Sequence, residues 1–142
     1  MKRNAVLLLI GLLAIGAPLS AGSVALTRAQ ASELYMALAS AEAGFAPANT
    51  VAAADNLNAL RPHVEALDKG KQAFQRAVRR LATAPDAEAR AEQLVIELEA
   101  KADEVITLDL TPLALSDDEL TASKLKPATL AVIRRWLAAP KK

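Results

Sequence analysis

The side chains that most often carry chemistry are few in this chain and badly spaced for it. His63 is the one histidine, it follows Pro62 directly, and no cysteine exists to share a metal with it. A transition-metal site needs several such ligands converging on one point, so His63 reads as a surface or helix-start residue. Acidic residues come in adjacent pairs, Asp103-Glu104 and Asp117-Asp118. Neighbours on a helix point ~100° apart, so neither pair aims two carboxyl groups at one substrate; both read as solvated or helix-start charges. No serine sits in a Gly-x-Ser-x-Gly turn, and no glycine-rich loop follows a strand to cradle a phosphate. The inventory points away from an enzyme and calls for no cofactor and no metal.

The elements that would position these residues are helical. Hydrophobic residues make up 53% of the 142, yet aromatics only 3%, because alanine supplies much of the apolar count. Alanine favours helix and buries little area, which predicts long thin helices in close contact. Without cysteine there is no disulfide, no haem attachment and no lipidated lipobox, so stability rests on helix packing alone. Net charge is +1, with two of the positive residues, Lys2 and Arg3, in the first three positions. The remainder is nearly neutral, which gives no reason to expect nucleic acid.

Apolar spacing sharpens this picture. Leu57, Leu60, Val64, Leu67, Phe74, Val78 and Leu81 alternate by threes and fours, broken at Lys71, and Ala87, Ala91, Leu94, Leu98, Val105 and Leu108 repeat the pattern. A period near 3.5 marks helices packed along a shared seam. Between the two runs, Thr83, Pro85, Asp86 and Glu88 supply a helix stop and a helix start. The expectation is an antiparallel helical hairpin over about residues 50–108. Its basic stretch (Lys69, Lys71, Arg76, Arg79, Arg80) would face its acidic one, setting Arg76 near Glu92, Lys71 near Glu97 and Lys69 near Glu99. Pro62 removes a backbone donor, predicting a kink or short break at residues 60–62. A first helix is expected over residues 26–43, with Asn49 or Thr50 capping the next. A crossing loop follows at 107–115, and short helices lie within 116–139, one opened by the capping box Ser116-Asp-Asp-Glu119 and one by Pro127.

The chain's beginning carries an address. Lys2 and Arg3 precede a stretch without charge from residue 5 to residue 27, and every acidic residue lies beyond it. That asymmetry reads as an N-terminal signal peptide or a transmembrane anchor over residues 1–25, with residues 26–142 as one helical domain outside the cytoplasm. As a signal, residues 5–17 form the apolar core, and Ser20 with Gly22, or Ser23 with Ala25, are the small pair before a cut. As an anchor, about 23 residues at ~1.5 Å each span the ~30 Å hydrocarbon layer. The fold class expected is therefore all-α: a leader or anchor helix followed by a small bundle built on the hairpin.

Two further features bear on partners. The last helix combines Arg134, Arg135, Trp136 and Leu137, a composition suited to a protein partner or a membrane surface, or to the body's own core. Leu26-Thr-Arg-Ala-Gln30, with Leu115-Ser-Asp-Asp-Glu119 as a looser echo, resembles the L-T-x-x-Q motif of the CpxP/Spy-like periplasmic helical stress proteins. That resemblance implies binding of unfolded clients or of a sensor kinase, although the alanine-rich body departs from the Met-, Gln- and Arg-rich family composition. The same residues also spell ordinary capping boxes. The expectation is a non-enzymatic interaction or assembly protein of the bacterial cell envelope, facing the periplasm and held by a protein partner, by the inner membrane or in an oligomer. The alternatives are a periplasmic chaperone or stress-signalling module, and a ligand-sensing bundle.

Overall fold

The computed structural model describes residues 23–41, 45–122 and 125–138. Most of the segment read as a leader, residues 1–22, lies outside them. Among the described residues no helix is long and apolar enough to cross a membrane. The elements run β1 (Ser23–Thr27), α1 (Arg28–Ala39), α2 (Pro47–Leu81), α3 (Ala87–Ala102), β2 (Val105–Asp109), α4 (Asp117–Ala122) and α5 (Pro127–Leu137). The fold is mostly helical, but the all-α expectation is corrected by a two-stranded sheet.

β1 and β2 pair antiparallel, with Leu26 opposite Ile106 and Val24 opposite Leu108. Side chains alternate faces along a strand, so this register puts four apolar residues on one side. Leu26 and Ile106 are buried, while Val24 and Leu108 pack against the same core. Val105 and Leu108 therefore do not extend the helical seam: three-residue spacing fits a helix, but the β-branched run Val105-Ile106-Thr107 favours a strand. The helical hairpin ends at Ala102, not at residue 108. At the other end of β1, Thr27 stops the strand and caps α1. Its hydroxyl accepts from the Gln30 amide at 3.1 Å, and the Gln30 side chain accepts from the Thr27 amide at 2.9 Å. The first helix accordingly begins at Arg28 rather than residue 26, and Ser40 closes it by bonding back to Ala37 O at 3.0 Å. Arg28 and Glu104 tie the sheet's end, amide to carbonyl at 3.0 Å and side chain to side chain at 3.1 Å.

α2 is one helix of 35 residues and passes through Pro62 without the expected break. Pro62 is exposed, so water can reach the acceptor that lost its partner, and the flanking Leu60 and Val64 stay buried. α2 starts at Pro47, where a missing donor costs nothing; neither Asn49 nor Thr50 is its cap. α3 begins after Asp86 with no side-chain cap, so Thr83 does not serve as one.

The core lies where α1, the sheet and α5 gather on the N-terminal half of α2. Leu34, Leu60 and Ile133 are each 1% exposed or less. Past Leu67 the situation changes: α2 contributes no further buried residue and α3 none at all. Residues 70–102 form a two-helix arm whose seam is only half covered.

Candidate functional site

The densest set of polar side chains gathers where residues 110–116 run back along α2. Asn56, 1% exposed, donates its Nδ2 to Thr111 O at 2.8 Å and accepts from the Thr111 amide at 2.7 Å. Two helical turns earlier, Asn49 does the same with Ala114, at 2.9 and 3.2 Å. An extended segment crossing a helix presents donors and acceptors that the helix backbone has already used; the two carboxamides satisfy them as a neighbouring strand would. Leu110 and Leu113, each 3% exposed and each just before one of these anchor points, are buried in the core. The Leu113 amide bonds Leu137 O at 2.7 Å, joining the segment to the end of α5.

Glu119 completes the set. Its Oε2 accepts from the Ser116 amide at 2.9 Å and the Ser116 hydroxyl accepts from the Glu119 amide at 3.2 Å, so the expected capping box forms. Its other oxygen reaches across to α2, accepting from Asn49 Nδ2 at 2.9 Å and from the amide of Ala46. One carboxylate thus stands at the N-termini of both α2 and α4, where the helix dipoles favour negative charge. The Ser116 amide, then Asn49, then the Ala46 amide hold its carboxyl down at about 2, below an ordinary 4.5. Each of these polar groups faces backbone or another member of the set, and the arrangement fastens the segment at residues 110–116 to α2.

His63 is half-buried on α2. Among the described residues no three metal-ligating side chains come together. Of the four residues singled out at the C-terminus, Leu137 is 2% exposed in the core and Trp136 is half-buried against it. Arg134 and Arg135 face solvent, the latter with its guanidinium 5.0 Å from the Trp136 ring centre. Sequence reasoning missed Asn49 and Asn56 as fasteners; their seven-residue interval on the buried face of α2 was the available signal.

What remains open is surface. A shallow groove of about 350 Å³ lies between α1 and α5, with Met36 and Val132 on its walls. A second, of about 370 Å³, lies between the arm's two helices and is lined by Ala77, Arg80 and Leu81 of α2 and Arg90, Gln93 and Leu94 of α3. The ion pairs expected across the arm do not form. Among the described residues the charged contacts are Arg28 with Glu104, Lys71 with Asp68 at 3.9 Å, and Arg90 with Asp86 at 2.7 Å, none joining α2 to α3. The facing helices put small and aliphatic side chains in the seam, and the charges point away to either side.

Compared with protein families, with curated proteins and with solved structures, the chain finds no match.

Proposed function

We propose that the protein is a non-enzymatic interaction or assembly protein of the bacterial cell envelope, exported to or anchored facing the periplasm. The observation that carries the reading is the division of labour along the chain. Lys2 and Arg3 followed by an uncharged apolar stretch give an export or anchoring signal. Downstream, Asn49, Asn56 and Glu119 are engaged with backbone, while the arm offers a long, half-covered apolar seam between charged rims. Groups of this kind serve docking rather than bond-making.

The test is fractionation of cells expressing the full chain. The protein is expected with the envelope and open to added protease once the outer membrane is breached. Recovery in the cytosol, protected until lysis, would overturn the location.

A client-binding chaperone is the second reading. Among the described residues, five large apolar ones, Met36, Val51, Val95, Ile96 and Val105, are exposed, and such surface suits unfolded chains. Suppression of aggregation of a denatured client, lost when Val95 and Ile96 become serine, would favour it. The Leu26-to-Gln30 motif does not separate these readings, because its Thr and Gln are already occupied in capping α1.

A further inference from the structure

The two faces of the arm differ in charge, and the groove shows which residues share a face. Arg80 on α2 and Arg90 with Gln93 on α3 line one side together. Residues at helical spacing from these extend the same rims. On α2, Lys69 and Arg76 follow Arg80's stripe; on α3, Glu97 and Lys101 follow Arg90's. A β-carbon at Gly70 would lie 3.6 Å from Lys101 Cδ and 3.7 Å from Leu98 Cδ1, so the helices are in contact at the arm's base too. The groove's α2 rim is thus basic, with Lys69, Arg76 and Arg80, whereas its α3 rim balances Arg90 and Lys101 against Glu97 and the Asp86 that pairs with Arg90. Among the described residues Lys69, Arg76, Arg80 and Lys101 have no ion-pair partner. Its floor is apolar: Ala77, Leu81 and Leu94, all half-buried. The opposite face carries Glu88, Glu92 and Glu99 of α3 around the exposed Val95, with Arg79 and the Asp68-paired Lys71 of α2 across from them.

We infer that this groove receives an acidic amphipathic helix of a partner protein, which completes a three-helix bundle. Two antiparallel helices leave a concave track into which a third lays its aliphatic stripe, with the residues beside that stripe meeting the rims. Here the α2 rim is basic, so a helix with glutamate on the side of its apolar stripe that meets α2 fits. On the other face the three glutamates outweigh Arg79 and the paired Lys71, so that helix is favoured on the groove side. α3 has no buried residue without such a partner, and helices in proteins draw most of their stability from a packed apolar face. The inference rests on the interaction reading above but not on location.

The probe is a synthetic peptide of about three heptads with leucine at the core positions and glutamate beside them. It is titrated into the full chain in mild detergent, with fluorescence anisotropy as readout. Saturable binding is expected. Arg76→Glu with Arg80→Glu should weaken it at least tenfold, Glu88→Lys with Glu92→Lys should leave it unchanged, and a peptide with lysine for glutamate should not bind. All four positions are exposed, and circular dichroism checks that the helices persist. Should a variant unfold, the unaltered chain still decides: its affinity should fall at least about tenfold between low and high salt through screening of the rims. Absence of binding, or binding indifferent to both salt and the arginines, overturns the proposal. So does self-association of the chain through those arginines, or capture by anionic vesicles in place of the peptide. A cytosolic chain that binds the peptide sinks only the location; an envelope chain that fails to bind sinks only this groove.

Discussion

Asn49 and Asn56 stand seven residues apart on α2, and the residues they hold, Ala114 and Thr111, stand three apart on an extended segment. The two intervals have the same length: about 10.5 Å along a helix at ~1.5 Å per residue, and about 10 Å along an extended chain at ~3.3 Å. The match lets one helix face bond every third residue of a chain running the other way. The residues between, Pro112 and Leu113, need no partner from α2, since Pro112 has no amide hydrogen and Leu113 bonds Leu137.

Removing one of these carboxamides is therefore expected to strand a backbone donor and acceptor together. Asn56→Ala should cost about 1–3 kcal/mol of stability in urea denaturation, the penalty for polar groups left unsatisfied. Asn56→Asp should be at least as costly, because a carboxylate cannot donate to Thr111 O. A loss below about 0.5 kcal/mol would show that water replaces the carboxamide.

Glu119 makes stability depend on acid. Its carboxyl titrates at about 2 when folded and near 4.5 when unfolded, so the unfolded chain binds the proton more readily. The stabilisation it gives is complete above about pH 4.5 and is lost as pH falls towards about 2. Glu119→Gln should flatten that part of the thermal-unfolding profile against pH. A profile identical to that of the unaltered chain would mean that other carboxylates set the acid limit.

Since α2 is continuous, Pro62 is tolerated rather than used. Pro62→Ala restores a donor to an exposed turn and should raise stability by about 1–3 kcal/mol, the usual cost of an interior helical proline. A lower melting temperature would show that the ring shapes the helix in a way the core depends on.

The two candidate cleavage points have different consequences for β1. A chain beginning at Ser23 keeps the whole strand, whereas one beginning at Leu26 loses Ser23, Val24 and Ala25 and their pairing with residues 107–109. The shorter form should melt at a clearly lower temperature. If the leader is cut, the mature N-terminus read by mass spectrometry is expected at Ser23. Equal melting of the two forms would make β1 dispensable.

Much of the helical order was legible because local signals act over a few residues. The Thr27–Gln30 and Ser116–Glu119 boxes, Pro127 at the start of α5, and the turn between Leu81 and Ala87 all rest on contacts within one or two helical turns. The seam from Leu57 to Leu67 was likewise written in its spacing, since periodicity alone assigns a face. The strands were not: five residues such as Val105-Ile-Thr-Leu-Asp109 satisfy helical and extended patterns alike, and β1 lies 78 residues away in sequence, counting from Thr27 to Val105.

What the sequence by itself determined, then, is composition, helical periodicity and capping, together with the charge asymmetry of the first residues. What tertiary structure alone decided is which distant groups meet. Glu119, while closing its own helix's cap, also reached Ala46 and Asn49, two asparagines became surrogates for a strand, and the cations of α2 turned to a rim instead of pairing with α3. The reason is physical: caps and amphipathic stripes are set by energies within a few residues of chain, whereas a buried amide or an exposed arginine acquires its role from whichever segment the packed core brings beside it.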